Sequence, residues 1–339
     1  MFESLIGGII GFAIAALVIV TAGSRLARAA DELADRTGLG EALFGLFLLA
    51  GVTSLPDFAA TLSAALDARP DLAMSNIMGS MAVNLVCLGI ADVIYRKANL
   101  EHAAASPTTL IQAALGIVLL TLPLLAIVTP PVSMWGVHPI TPVIVVAYLF
   151  GLHLVRSTQK EPMWFPRRTR QTVPDKPESR HHGGLANAWL GFVALAAVTG
   201  IAGWVLMEAA KTISDHTGLS DTLVGGLLTA LATSSPELVT TIAAVRQGAL
   251  TLAVSNIFGT NCFNILVVAA ADGGYPGGSI YHDMAPVQII WGLVSILMTA
   301  ILLMGMVRRE TYGIGRIGFE SALILTVYAV ALAIVVAGG

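Results

Sequence analysis

Two short segments set a carboxylate beside hydroxyls and a proline inside long apolar runs. They are Ala50-Gly51-Val52-Thr53-Ser54-Leu55-Pro56-Asp57 and, 180 residues later, Ala230-Leu231-Ala232-Thr233-Ser234-Ser235-Pro236-Glu237. An ionisable group in hydrocarbon costs at least ~2.5 kcal/mol, which makes Asp57 and Glu237 functional candidates by default. Proline has no N–H to donate and pushes away the carbonyl four residues back, so the carbonyls around Ala232 and Thr233 are expected to lose helix partners. Carbonyls, hydroxyls and a carboxylate together make an oxygen-rich cation site. Such backbone is tolerated at membrane depth only where protein covers it or a wet cavity adjoins it.

The two segments belong to an internal duplication. Residues 37–92 align with 217–272 without a gap and share 21 identities in 56 positions. Thr37-Gly38-Leu39 matches Thr217-Gly218-Leu219, and Ser75-Asn76-Ile77-x-Gly79 matches Ser255-Asn256-Ile257-x-Gly259. Asn84 falls on Asn264 and Asp92 on Asp272.

The elements that must position these residues follow from composition. The 339 residues are 56% hydrophobic and 12% charged, against about 25% charged in a soluble domain. The chain therefore reads as an all-α polytopic membrane protein. Ten transmembrane helices are predicted, near residues 5–23, 41–66, 72–95, 108–128, 139–155, 187–207, 222–245, 250–270, 286–306 and 317–336. Helices 2 and 7 are expected to break at their prolines and helices 3 and 8 at Gly79 and its counterpart. Residues 1–156 form a first five-helix half, 157–185 a linker and 186–339 a second half. An odd number of spans per repeat inverts the second half relative to the first.

Charge distribution tests this parity, because cytoplasmic loops collect Lys and Arg. Of the 18 Lys and Arg residues, 16 fall in loops on the linker side, and only Arg69 and Lys211 fall on the other. The linker is thus predicted to be cytoplasmic and both termini outside, in a cell (inner) membrane. No basic face interleaved with aromatics supports nucleic-acid binding. Cys87 and Cys262 lie in apolar runs and read as buried thiols.

Residues four apart share a helix face, so Thr53 with Asp57, Ser80 with Asn84, Thr233 with Glu237 and Thr260 with Asn264 each aim oxygens one way. Inverted repeats would bring all four pairs together near the midplane. Hard oxygen ligands suit sodium, calcium or magnesium rather than zinc or copper. Two carboxylates neutralise one divalent or two monovalent cations, as exchange requires.

The Thr-Ser-x-Pro-Asp/Glu segment followed by Asn-Ile-x-Gly-Ser/Thr, occurring twice, resembles the two alpha repeats of the sodium/calcium exchanger family within the calcium/cation antiporters. The resemblance implies alternating access, with sodium entry driving calcium out. It implies cation ligands at the Ala50 and Ala230 carbonyls and at Thr53, Thr233, Ser54, Ser234, Asp57, Glu237, Ser80, Thr260, Asn84 and Asn264. It implies no cofactor, and as partners only inorganic cations (calcium and sodium, with proton or potassium as alternative coupling ions) and the lipid bilayer.

Departures from the family pattern bear on selectivity and stoichiometry rather than fold. Val52 and Ala232 stand where glycine is usual, and Asp57 is one methylene shorter than the usual glutamate. Many members carry a carboxylate at the position of Asn264. Ser75 and Ser255 replace a common glycine, and Met81 an expected asparagine.

A proton-coupled cation exchanger of the same fold is the nearest alternative. An intramembrane carboxylate protease lacks its Gly-x-Gly-Asp frame here, and a passive channel would need no counter-ion. Simpler roles are expected for other residues. Asn76 and Asn256 cap half-helices or touch the ion, Ser54 and Ser234 either serve as ligands or merely bond back to a carbonyl one turn earlier, Glu41 and Asp221 favour helix dipoles, and Asp92 and Asp272 are interfacial.

Overall fold

A computed structural model describes residues 2–37, 50–95, 99–104, 106–134, 136–160, 185–310 and 317–338. The expectations for Glu41 and for most of the 157–185 linker lie outside the described residues. The first half comprises α1 (Leu5–Thr37), α2 (Ala50–Thr53), α3 (Leu55–Leu66), α4 (Pro70–Ile94), α5 (Leu100–Ala104), α6 (Pro107–Val128) and α7 (Ile140–Lys160). The second comprises α8 (Leu185–Thr217), α9 (Asp221–Leu223), a π-helical turn (Val224–Thr229), α10 (Ala230–Thr233), α11 (Ser235–Gln247), α12 (Leu250–Gly274), α13 (Ile280–Asp283), α14 (Val287–Arg308) and α15 (Phe319–Gly338).

Among the described residues, nine helices are long and apolar enough to cross a membrane, and the second predicted span is described only from Ala50 onward. Local chemistry sets their ends. The hydroxyl of Ser106 accepts from Thr109 N and Thr109 returns the bond, a capping box in front of Pro107 at the first helical position. Gly248 ends α11 in the left-handed conformation at φ 86°.

A single turn residue interrupts the site helices two residues before each proline, Ser54 between α2 and α3 and Ser234 between α10 and α11. The expected breaks in helices 3 and 8 do not occur, since α4 and α12 are continuous 25-residue helices. Gly79 is small for a different reason. A Cβ there would lie 2.7 Å from the Gly226 carbonyl oxygen, so the glycine lets α4 touch the backbone of the π-helical turn. That turn was not anticipated; it winds one extra residue into the helix ahead of Ala230.

The long helices α1 and α8 lie against each other, each crossing the proline break of the opposite half. A Cβ on Gly23 would meet Pro236 Cγ at 2.6 Å, and one on Gly203 would meet the Pro56 carbonyl oxygen at 2.5 Å. Both members of this pair are themselves 180 residues apart, so the duplication reaches α1 and α8.

Asp92 and Asp272 are fully buried, not interfacial. Each carboxylate gathers backbone N–H groups from two other segments. Asp92 accepts from Leu100 at 2.7 Å and Gly318 at 3.0 Å, and Asp272 accepts from Ile280 at 3.1 Å and His138 at 2.9 Å. The partners also obey the 180-residue offset. Asp272 takes a further bond from the Thr141 hydroxyl at 2.6 Å.

The two cations on the other side are tied down there. Arg69 holds Asp221 through two nitrogens, at 2.6 and 2.9 Å, in a bidentate pair that joins α4 to α9. Lys211 of α8 reaches Glu208 at 2.7 Å, the Ser63 hydroxyl at 2.9 Å and Asp67.

Removing the Asp272 carboxylate strands three donors at roughly 1–3 kcal/mol each. Asp272→Ala is therefore expected to destabilise the protein by at least about 3 kcal/mol, with Asp272→Asn costing less because one acceptor oxygen survives. Thermal unfolding of the purified variants in detergent checks both.

Candidate cation site

Four helices deliver the predicted residues to one place. The α2–α3 and α10–α11 breaks carry Thr53, Ser54, Asp57 and Thr233, Ser234, Glu237, while α4 and α12 carry Ser80, Asn84 and Thr260, Asn264. All of these side chains are buried, and the two carboxylates fully so. The halves interlock by hydroxyl pairs across the repeat axis. Thr53 Oγ1 lies 3.4 Å from Thr260 Oγ1, and Ser80 Oγ lies 3.2 Å from Thr233 Oγ1.

The two carboxylates have unlike surroundings. Asp57 accepts from the Ser80 hydroxyl at 2.7 Å, from Asn264 Nδ2 at 3.4 Å and from Asn76 Nδ2 at 3.5 Å. Both oxygens of Glu237 lack a hydrogen-bond partner. Glu237 stands beside Thr53 and within electrostatic reach of Asp57.

The amides are oriented by their nitrogens. Asn84 Nδ2 donates to Asn261 Oδ1 at 3.0 Å and Asn264 Nδ2 to Asp57, while Oδ1 of each is buried and unpartnered. The hydroxyls of Ser54 and Ser234 make no back-bond to the preceding turn and are also unpartnered. That differs from the simpler role given to them above, because the helix is interrupted at these two residues. The carbonyls of Ala50 and Ala230 are not freed: each accepts its helix bond, from Ser54 N and Ser234 N at 3.0 Å. The interruption begins after them, and each carbonyl retains a second lone pair.

The region therefore presents acceptors with no donor: the Glu237 oxygens, two serine hydroxyl oxygens and two amide oxygens. Burying such a set is costly unless a cation meets it. Among the described residues no group of three or more His, Cys, Asp or Glu could hold a metal, so the site is built largely from neutral oxygens around two carboxylates. Neutral oxygen ligands favour weakly held, exchangeable alkali or alkaline-earth ions.

Asn261 went unassigned in the sequence, and Asn76 was expected to cap a half-helix or touch the ion. Asn261 takes the bond from Asn84 and donates to the Met81 carbonyl at 3.0 Å, tying α12 to α4. Its position opposite Met81 in the repeat alignment was the available signal. Asn76 does not cap a half-helix, since α4 runs through it. It bonds Thr61 at 3.0 Å and faces Asp57.

Comparison with known proteins bears on this geometry. The family described as sodium/calcium exchanger protein matches the chain twice, over residues 7–158 and 187–337. The inner membrane protein YrbG of Escherichia coli K12 is 29% identical over 293 residues, covering 82% of this chain and 85% of that protein. The putative antiporter CaxA of Alkalimonas amylolytica is 26% identical over 255 residues, covering 74% and 76%. The sodium/calcium exchanger MaX1 of Methanosarcina acetivorans is 34% identical over 94 residues, 28% of this chain and 27% of that one. Among solved structures, the sodium-calcium exchanger NCX_Mj soaked with 10 mM Na+ and zero Ca2+ superposes with a TM-score of 0.65 at 18% identity, covering 97% of this chain and 99% of that one. That likeness establishes the fold. The double family match, spanning nearly all of both halves, makes the chain a multi-pass cation antiporter and not an enzyme: it belongs to the sodium/calcium exchanger family.

Proposed function

We propose that the chain exchanges sodium for calcium by alternating access, with both ions bound in turn at the mid-membrane oxygen cage. The observation that carries this reading is the buried pair Asp57 and Glu237 among acceptors that have no protein donor. Two carboxylates balance one calcium or two sodium ions, so either cargo leaves the site near neutrality. A charge-neutral loaded site is what a bilayer crossing demands, because net charge moved through low dielectric is heavily penalised. The names borne by MaX1 and NCX_Mj support the same ion pair.

In this reading Thr53, Ser54, Thr233, Ser234, Ser80, Thr260, Asn84, Asn264 and the Ala50 and Ala230 carbonyls supply neutral ligands. Residues 1–156 and 186–339 are the two halves that rearrange about the site, joined by the 157–185 linker. The name of the Escherichia coli relative supports an inner-membrane location, and the loop charges support a cytoplasmic linker with both termini outside.

Proteoliposomes loaded with sodium and diluted into sodium-free buffer are expected to take up calcium. Glu237→Gln is expected to reduce that uptake to the background of empty vesicles while the purified variant remains monodisperse. Undiminished uptake by folded Glu237→Gln protein would remove the central claim. Uptake that follows a pH gradient and ignores sodium would keep the antiporter and make the proton its coupling ion.

Asp57→Glu should retain uptake and shift the calcium concentration for half-maximal rate, since the longer side chain restores the usual family residue but must shift against Ser80. Complete loss of calcium binding, read by calorimetry, would instead mean that the cage fits only the shorter acid.

A further inference from the structure

A backbone carbonyl and two amides form a line between α4 and α12. Asn261 Nδ2 donates to the Met81 carbonyl oxygen at 3.0 Å, and Asn261 Oδ1 accepts from Asn84 Nδ2 at 3.0 Å. Asn84 Oδ1, at the end of the line, is buried without a hydrogen-bond partner. Met81, Asn84 and Asn261 are all buried, so bulk water offers the amides no alternative.

The line has a direction, and the carbonyl sets it. A main-chain carbonyl has lone pairs and no proton to give, so Asn261 must turn its NH2 group toward Met81 and its oxygen toward Asn84. That oxygen takes only a donor, so Asn84 must turn its own NH2 group toward α12 and its oxygen away. Neither amide can flip alone without setting two donors or two acceptors face to face and leaving buried groups unpaired. The other half lacks this device. The 180-residue offset sets Met81 where Asn261 stands, and a thioether offers no amide to pass the polarity on. Asn264, the counterpart of Asn84, directs its Nδ2 to Asp57 at 3.4 Å, so its orientation depends on a carboxylate of the cage itself.

We propose that Asn261 is a positioning residue for ion binding: it relays the acceptor character of the Met81 carbonyl through two hydrogen bonds and thereby fixes Asn84 as an oxygen ligand. The inference rests on the exchange reading given above, in which Asn84 meets the cation. An amide free to turn presents its NH2 group to the ion as readily as its oxygen, and the partial positive charge of that group opposes binding. Asn261 commits its Oδ1 and Nδ2 to the line and acts on the ion through Asn84. One neutral ligand is thus oriented by backbone, whatever the charge state of the cage, and its counterpart by a carboxylate that the ion itself engages.

The test is a double-mutant cycle read by calorimetric calcium titration of the purified protein. Asn261→Leu, close to isosteric, removes both bonds of the line and should weaken calcium binding about tenfold. Asn84→Asp supplies a carboxylate, which has no wrong end to present. Against that background the Asn261 oxygen faces another acceptor, so adding Asn261→Leu should leave calcium binding unchanged or tighter than in Asn84→Asp alone. An equal loss in both backgrounds would mean a merely structural role and would overturn the proposal, as would undiminished binding in the single variant. If Asn261→Leu does not fold, Asn261→Ala carries the same cycle. The opposite responses, found in protein whose calcium uptake ignores sodium, would uphold the relay and overturn only sodium coupling. Wild-type protein that binds neither calcium nor sodium would overturn the exchange reading and the relay with it.

Discussion

A carboxylate in the middle of a bilayer must be compensated, and two of them within reach of each other must be compensated twice. The structure meets this demand unequally. Asp57 draws three donors from its own hairpin and from α12, whereas Glu237 draws none. Around that imbalance the other polar groups are arranged with their donors anchored and their acceptors free. Asn84 and Asn264 commit their nitrogens to protein partners and leave their oxygens open. A site that held its shape through acceptor bonds would compete with its cargo. One held through donor bonds keeps the oxygens available.

The surrounding architecture holds two interrupted helices in place without filling the space between them. The small residues Gly23 and Gly203 let α1 and α8 cross Pro236 and Pro56 at backbone distance, so each half covers the weak point of the other. Asp92 and Asp272 do comparable work away from the midplane. They satisfy N–H groups at the entries to other helices that would otherwise be buried and unpaired. Because both devices repeat at the same 180-residue offset, the duplication governs the packing of the whole chain and not only the aligned core.

The repeats differ where the chemistry is done. Met81 fills with an apolar chain the position at which Asn261 bridges two helices, and Asp57 is short enough to sit in a ready-made cradle of donors. The first repeat thereby satisfies its carboxylate and the second leaves its own open, while each repeat contributes one open serine hydroxyl and one open amide oxygen, Ser54 and Asn84 in the first and Ser234 and Asn264 in the second.

Much of this was legible in the chain alone. Apolar run lengths, the ungapped duplication, the proline positions and the paired acids determined a membrane-embedded helical protein built from two repeated halves, with Asp57 and Glu237 as its candidate site residues. These are local or periodic signals, and the cost of charge in hydrocarbon makes them decisive. Tertiary structure decided what local pattern does not encode. Gly79 is a contact point and not a break, because only the approach of Gly226 shows what the missing side chain makes room for. Asp92 and Asp272 are buried clamps and not interfacial acids, because their partners lie on segments far along the chain. Which of two similar carboxylates is satisfied depends on the same thing: hydrogen-bond partners are fixed by packing between helices, and a sequence repeated almost unchanged at Thr61 and Thr241 can pair in one half and stand open in the other.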